Sequence, residues 1–176
     1  MSRFTIFVDT GLKGAAVCFR ENKPYSYHRF KKCKVEQGIE VKPFIDFLKA
    51  FRTKTKHPQV IYESPSKINR HVVTVSSQYY VIGQIVTAAR LTYRTSPTWV
   101  PAVTWISFVK RKLGKPFDPD PKTRSRQYAS QLFGPWLLDN FKPPYPDGIT
   151  DCLCLASYVQ HEEKKLIKFF EDQEDF

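Results

Sequence analysis

The sequence lacks any long apolar run, since no stretch approaches the roughly 20 residues that a membrane-spanning helix needs. Its four cysteines form no Cys-x-x-Cys pair and have no histidine at zinc-ligand spacing. This disfavours structural zinc and predicts buried free thiols. A strand-like run begins at Phe4, which leaves no room for a signal or transit peptide. We therefore expect an intracellular, cytoplasmic protein with no membrane partner.

Acidic residues are scarce and unevenly placed. The chain carries 28 Lys and Arg against 17 Asp and Glu, a formal net charge of +11. No acid occurs between Glu63 and Asp118, whereas eight bases do: Lys67, Arg70, Arg90, Arg94, Lys110, Arg111, Lys112 and Lys115. A stretch of one sign predicts a surface that faces a polyanion, with a merely soluble basic face as the alternative. Residues 162–176 differ, because six acids and three bases make them an acidic tail.

The apolar content of 41% predicts one globular domain over residues 1–176. Apolar alternation and turn residues predict strands at 4–8, 15–19, 25–30, 59–62 and 98–100. Helical spacing predicts helices at 41–51, 76–91, 103–113, 122–133 and 148–170. A helical crossover would set the fourth strand parallel to the first. This α/β order resembles a ribonuclease-H-like fold, a five-stranded mixed sheet flanked by helices.

Four carboxylates occur where the predicted elements begin or end. Asp9 closes the first strand, Glu63 closes the fourth, and Asp147 and Asp151 share one face at the start of the last helix. Crowded carboxylates cannot all stay ionised unless cations lie between them. The pattern therefore predicts a site for two Mg²⁺ ions that acts on a phosphodiester. Asp9 would bridge the ions, Glu63 and Asp151 would each hold one or share them, and Asp147 would complete the site.

Each acid has a simpler interpretation. Asp9 precedes Thr10-Gly11 and could be a turn residue, and Glu63 could pair with a nearby lysine. Asp147 could cap the last helix without any metal. Asp151 lies one turn into an otherwise apolar helix, where a solvated role is hard to explain. The joint placement of the four is what favours a metal site.

At these residues the sequence resembles the RuvC-like Holliday junction resolvases. The matching segments are Ile6-Phe7-Val8-Asp9-Thr10-Gly11, Val60-Ile61-Tyr62-Glu63 and Asp147-Gly148-Ile149-Thr150-Asp151, with the segment from Pro101 to Lys110. The resemblance implies a homodimeric endonuclease that depends on Mg²⁺ or Mn²⁺ and nicks two opposed strands of a four-way DNA junction. Asp9, Glu63, Asp147 and Asp151 would be its acidic tetrad. The absence of a leader favours a bacterial, phage or viral setting.

Two features depart from the bacterial pattern or leave choices open. The last two acids are four positions apart, as in the fungal mitochondrial branch, whereas bacterial members use three. The family also has a basic residue near the catalytic centre, for which Lys110, Lys122 and Arg124 are candidates. We expect the helix at 76–91 to form the dimer interface. The predicted DNA contacts are Lys67, Arg70, Arg90, Arg94, Lys110, Arg111, Lys112, Lys122 and Arg124.

Two other functions remain open from the sequence. A ribonuclease of the same fold could cut RNA–DNA hybrids or structured RNA with the same carboxylates. A non-catalytic module could bind branched DNA through the basic surface alone. Cleavage of a four-way junction, a hybrid duplex and a structured RNA would separate them.

Overall fold

The computed structural model describes residues 4–33, 38–53, 57–65, 72–114 and 118–174, and at 72–75 and 165–174 it describes the backbone alone. The strands are β1 Phe4–Val8, β2 Ala15–Arg20, β3 Lys23–Arg29, β4 Gln59–Ser64 and β5 Thr98–Pro101. The helices are α1 Val41–Lys49, α2 Val72–Tyr93, α3 Ala102–Leu113, α4 Pro121–Asn140 and α5 Asp147–Glu174. Every element predicted from the sequence is present, with ends that differ by a few residues in most cases.

The five strands form one mixed sheet in the order β3-β2-β1-β4-β5. The first three make an antiparallel meander, and β1, β4 and β5 are parallel. Val8 pairs with Tyr62 at the end of the β1–β4 ladder. Because parallel strands end at the same edge, Asp9 and Glu63 follow at neighbouring positions. The predicted adjacency of the first and fourth strands is therefore confirmed.

The sheet has a separate apolar layer on each face, because successive strand residues point to opposite sides. Phe7 and Ile61 pack with α3, α4 and α5, whereas Val8 and Val60 pack with α1 and α2. The acids that come one residue after Val8 and Tyr62 continue this alternation toward α3, α4 and α5. The fold thus assigns the site to one face of the sheet.

Helix α4 extends further than the sequence predicted. The predicted helix covers 122–133, but after a kink at Phe133, whose φ and ψ are −126° and 21°, helical structure continues to Asn140 with Pro135 inside it. Proline removes one helical hydrogen bond and forces the kink. Leu137 is fully buried beyond the kink, so packing compensates for the lost bond. The predicted end at Phe133 coincides with this break, and the helical segment that follows it was not predicted.

Helix α2 is apolar on more than one side. Val81, Ile85, Ala88 and Ala89 are buried, as an inward face should be. Leu91, expected near the apolar face, is 73% exposed instead, and Tyr79 and Tyr80 are about half exposed. None of the helices within the described ranges is long and apolar enough to cross a membrane.

Candidate metal centre

Asp9 is fixed by the turn that follows β1. Its carboxylate Oδ1 accepts a hydrogen bond from the Gly11 backbone N–H at 3.0 Å, and its own N–H donates to the carbonyl of Ala15 at 3.0 Å. Gly14 lies so close that a Cβ there would come within 2.3 Å of the Asp9 carbonyl oxygen. Only glycine fits this turn, and the tight turn is what presents the Asp9 carboxylate at the sheet edge.

Glu63 ends the buried part of β4 and is 7% exposed. The fully buried Thr10 hydroxyl donates to the Glu63 carbonyl oxygen at 3.1 Å. This bond ties the residue after Asp9 to the backbone of Glu63. The two strand ends are therefore held in fixed register, with their carboxylates facing the same layer of helices.

The start of α5 packs directly on the turn after β1. A Cβ on Gly148 would lie 2.8 Å from the Gly14 Cα, so the helix approaches as closely as a glycine allows. Cys152 donates from Sγ to the Ala15 carbonyl and accepts from the Asp9 N–H, both at 3.2 Å. Burial raises the pKa of the Cys152 thiol, which keeps the proton for this bond. The contacts bring Asp151, one residue earlier, toward Asp9.

The Asp151 carboxyl is buried beside the negative charge of Asp9, which its other neighbours offset only in part. Its pKa rises from 3.8 to about 7, first because the group is buried and second because the Asp9 charge is near. A hydrogen bond with Ser125 and the Lys122 charge act in the opposite direction. A carboxylate of this kind gains stability when a cation is bound beside it.

Asp147, the first residue of α5, has both carboxylate oxygens bound to cations of α4. Arg126 Nη2 donates to Oδ1 at 2.5 Å, and Lys122 Nζ lies 3.0 Å from Oδ2. The hydrogen bond with Asp147 raises the pKa of Lys122. Asp147 is not the residue that caps the helix, because the N–H groups of Ile149 and Thr150 donate to the carbonyl of Pro146.

The predicted residues other than Asp147 fall into three groups. Asp9, Glu63, Asp151, Lys122 and Arg124 line one cleft of about 240 Å³, together with Gln78, Trp105, Ile106, Val109, Pro121 and Ser125. Arg90, Arg94, Lys110, Arg111 and Lys112 are exposed and do not line this cleft. Lys67 and Arg70 lie outside the described residues.

Arg124 is 5% exposed, which is unusual for a predicted DNA contact. Its Nη1 donates to the carbonyls of Asp118 and Pro119, both at 2.9 Å. These bonds fasten the segment before α4 to the helix itself. That Arg124 contacts DNA stays a prediction. In the structure, its hydrogen bonds hold the segment before α4 against the helix.

Sequence reasoning missed three polar residues of the site. Arg126 and Ser125 lie on α4, and Gln78 comes from α2. Arg126 is four residues after Lys122, so helical spacing could have placed both cations on the same face of α4. Gln78 carries no comparable signal, because nothing in the sequence places α2 beside the acids.

The donor set suits a hard divalent cation. Three carboxylates face one cleft, and carboxylate oxygen is the ligand that Mg²⁺ and Mn²⁺ prefer. Among the described residues, however, no three His, Cys, Asp or Glu side chains are already grouped closely enough to hold an ion. Asp9, Glu63 and Asp151 thus offer the right donor type in one cleft without forming a ready ligand set, whereas both oxygens of Asp147 are bound by Lys122 and Arg126.

The fold is similar to that of RuvC from Thermus thermophilus in complex with a Holliday junction substrate. The TM-score is 0.55 at 13% identity, over 89% of this chain and 92% of that one. A further RuvC structure from the same organism gives a TM-score of 0.54 at 13% identity, over 90% and 96%. No protein-family model and no curated protein matches the sequence. The likeness confirms the ribonuclease-H-like fold predicted from the sequence.

Proposed function

We propose that this ribonuclease-H-like protein is a metal-dependent endonuclease that cuts four-way DNA junctions. The observation that carries the proposal is the convergence of Asp9, Glu63 and Asp151 in one cleft beside Lys122. Similarity in fold to a RuvC bound to a Holliday junction supports the choice of substrate. The basic surface supports a nucleic acid partner, whether DNA or RNA.

Bound Mg²⁺, or Mn²⁺ in its place, would supply an activated water and charge stabilisation at the leaving oxygen. The protein would hold two such ions through Asp9, Glu63 and Asp151. Asp9 comes from the turn between β1 and β2, Glu63 from β4 and Asp151 from α5, so three separate elements must meet before the cleft exists. Their fixed backbones orient the carboxylates before substrate binds, which is how a site reduces the cost of positioning.

The DNA arms would lie on the exposed basic residues at the ends of α2 and α3. Arg90, Arg94, Lys110, Arg111 and Lys112 are all exposed and carry the same sign. Such contacts to phosphate are independent of sequence and weaken with salt. Lys67 and Arg70 stay predicted contributors to the same surface.

We assign the dimer interface to the outward side of α2. Tyr79, Gly83, Thr87 and Leu91 recur every four residues on this side and are exposed, with Tyr80 beside them. No atom lies within 4 Å of a Cβ placed on Gly83, so a second helix could approach closely there. A two-fold pair of this kind would present two clefts to two opposed strands.

The test is cleavage of a synthetic four-way junction with Mg²⁺, with cut sites mapped on all four strands. We expect paired nicks at symmetric positions, and no cleavage of a linear duplex with the same sequence. Asp9→Asn and Asp151→Asn should each abolish cleavage while junction binding survives.

Three outcomes would contradict the proposal. Retained cleavage in either variant would exclude the three-carboxylate mechanism. Preferential cutting of an RNA–DNA hybrid or a structured RNA would assign the fold to a ribonuclease, and binding without any cleavage would leave a branched-DNA-binding module.

A further inference from the structure

Asp147 differs from the other three acids in what surrounds it. Asp9, Glu63 and Asp151 line the cleft, and Asp147 is not among its lining residues. Its Oδ1 is bound by Arg126 Nη2 at 2.5 Å and its Oδ2 by Lys122 Nζ at 3.0 Å. A metal ion that used either oxygen would have to displace a cation that already holds it.

The two cations are held on the same side of α4 by helical spacing. Lys122 and Arg126 are four residues apart and therefore lie one turn from each other on the same face. The side chain of Arg126 is 34% exposed, and its Nε is buried without a hydrogen-bond partner in the described structure. Arg126 thus directs its guanidinium to Asp147 at the expense of that Nε.

The charges around Asp147 favour a role in holding Lys122 and Arg126 over a role as a metal ligand. Asp147 carries one negative charge between two positive ones, so the group of three has a net positive charge. A divalent cation would be repelled by Lys122 and Arg126 at close range. The balance at Asp151 differs, because Asp9 and Asp147 both add negative charge there and Lys122 alone adds positive charge.

Lys122 reaches from this group to the substrate side. Its side chain is 64% exposed and it also lines the cleft with the three acids. A long lysine side chain at such exposure loses much rotational freedom when it is held in one place. The Asp147 carboxylate supplies a fixed partner that limits this loss.

We propose that Asp147 is a positioning residue that, together with Arg126, holds the Lys122 ammonium at the mouth of the cleft, where it meets the phosphate to be cut. The assignment rests on the proposed nuclease function and replaces the expected fourth metal ligand. Metal binding then belongs to Asp9, Glu63 and Asp151. Lys122 is the basic residue that the sequence left undecided among Lys110, Lys122 and Arg124.

The first test is a calorimetric titration of the full-length protein with Mn²⁺, without DNA. We expect Asp147→Asn to keep the wild-type stoichiometry and to bind Mn²⁺ within about threefold of the wild-type affinity. Asp151→Asn should lose bound metal under the same conditions. Asp46→Asn, which changes an exposed acid on α1, is the control for a lost surface charge. If Asp147→Asn loses metal as Asp151→Asn does, Asp147 is a ligand and the proposal is overturned.

The second test is a double-mutant cycle on the single-turnover cleavage rate. Lys122→Ala and Asp147→Asn should each slow cleavage by roughly 10- to 100-fold, because a displaced charge no longer meets the phosphate. The double variant should be no slower than Lys122→Ala alone, since Asp147 acts through Lys122. Thermal unfolding of each variant checks that the fold persists. Multiplying effects would contradict the proposal.

The two proposals fail in different ways. If no variant cleaves because the wild type does not, the endonuclease function is wrong, while the Mn²⁺ titration still decides whether Asp147 is a ligand. If the wild type cleaves and Asp147→Asn loses metal as Asp151→Asn does, the function stands and only the role of Asp147 is wrong.

Discussion

Ionisation of the buried Asp151 carboxyl destabilises the metal-free protein near neutral pH. Its pKa is raised to about 7, chiefly by burial, whereas the unfolded value is near 3.8. Between these values the folded state keeps a proton that the unfolded state has released. The protonated Asp151 therefore contributes to the free energy of unfolding fully below about pH 4, and this contribution is lost as the pH rises toward 7.

Asp151→Asn should remove this loss, because the amide cannot ionise and can still accept from Ser125. In EDTA, we expect the gain in free energy of unfolding to be about 1–3 kcal/mol larger at pH 8 than at pH 5. Urea denaturation at the two pH values measures it, with the exposed Asp139→Asn as the matched control. An equal gain at both pH values would mean that the carboxyl is not buried beside Asp9.

Some individual residues of the site could be predicted from the sequence, and others could not. Asp9 and Glu63 were predicted as neighbours because strand periodicity and a scarce charge are both visible in the chain. Arg124 was predicted as a DNA contact and as one candidate for the basic residue near the catalytic centre, and either role favours an exposed side chain. Its burial depends on two carbonyls of the preceding segment, which no local pattern reveals. The pairing of Arg126 with Asp147 likewise depends on how α4 lies against α5.

At the scale of elements, the end of α3 and the start of α4 are both basic but have different surroundings. Arg111 in the last turn of α3 is exposed, while Arg124 near the start of α4 is buried and satisfied by carbonyls. Only an exposed cation releases counterions when it meets a phosphate. The two arginines should therefore respond differently to salt.

Arg111→Ala should lower the slope of log affinity against log salt by about 0.9 for junction binding. Arg124→Met should leave this slope unchanged and reduce stability, because the carbonyls of Asp118 and Pro119 lose their donor. Fluorescence anisotropy with a labelled four-way junction at several salt concentrations measures the slope. Lys49→Ala, which removes an exposed cation that is already paired with Asp46, is the control. A reduced slope for Arg124→Met would restore it as a DNA contact.

Most elements follow from local pattern, and the exceptions have physical causes. The strands of the meander and the parallel β1–β4 pair were predicted because alternation, turn residues and a helical crossover all agree. The helical segment after Phe133 was not predicted, since Gly134-Pro135 disfavours a continuing helix and only the burial of Leu137 supports one there. Tertiary packing thus decided what propensity could not.

At the scale of the whole molecule, the exposed side of α2 requires a partner if the protein is to cut two strands. Tyr79 and Tyr80 are about half exposed on a helix whose other side is buried. Exposed aromatic residues in a row favour an interface over a solvated surface.

The double variant Tyr79→Arg/Tyr80→Arg should be monomeric, because like charges would face each other across the two-fold axis. Light scattering after size exclusion should give the mass of one chain, against two for the wild type. Cleavage of a four-way junction should then shift from paired nicks to single nicks. Leu138→Arg, exposed on α4, is the matched control and should stay dimeric. A dimeric double variant would place the interface elsewhere.

The bonds of Cys152 to the turn after β1 have a consequence for synthesis of the protein. The Asp9 N–H and the Cys152 Sγ that it contacts are 143 residues apart. A ribosome that has made only the meander, or even the sheet through β5, has not yet supplied the residue that joins Asp151 to Asp9. Contacts so distant in sequence are among the slowest to form. A growing chain that already binds DNA through its basic residues would therefore have no means to cut it until α5 has emerged.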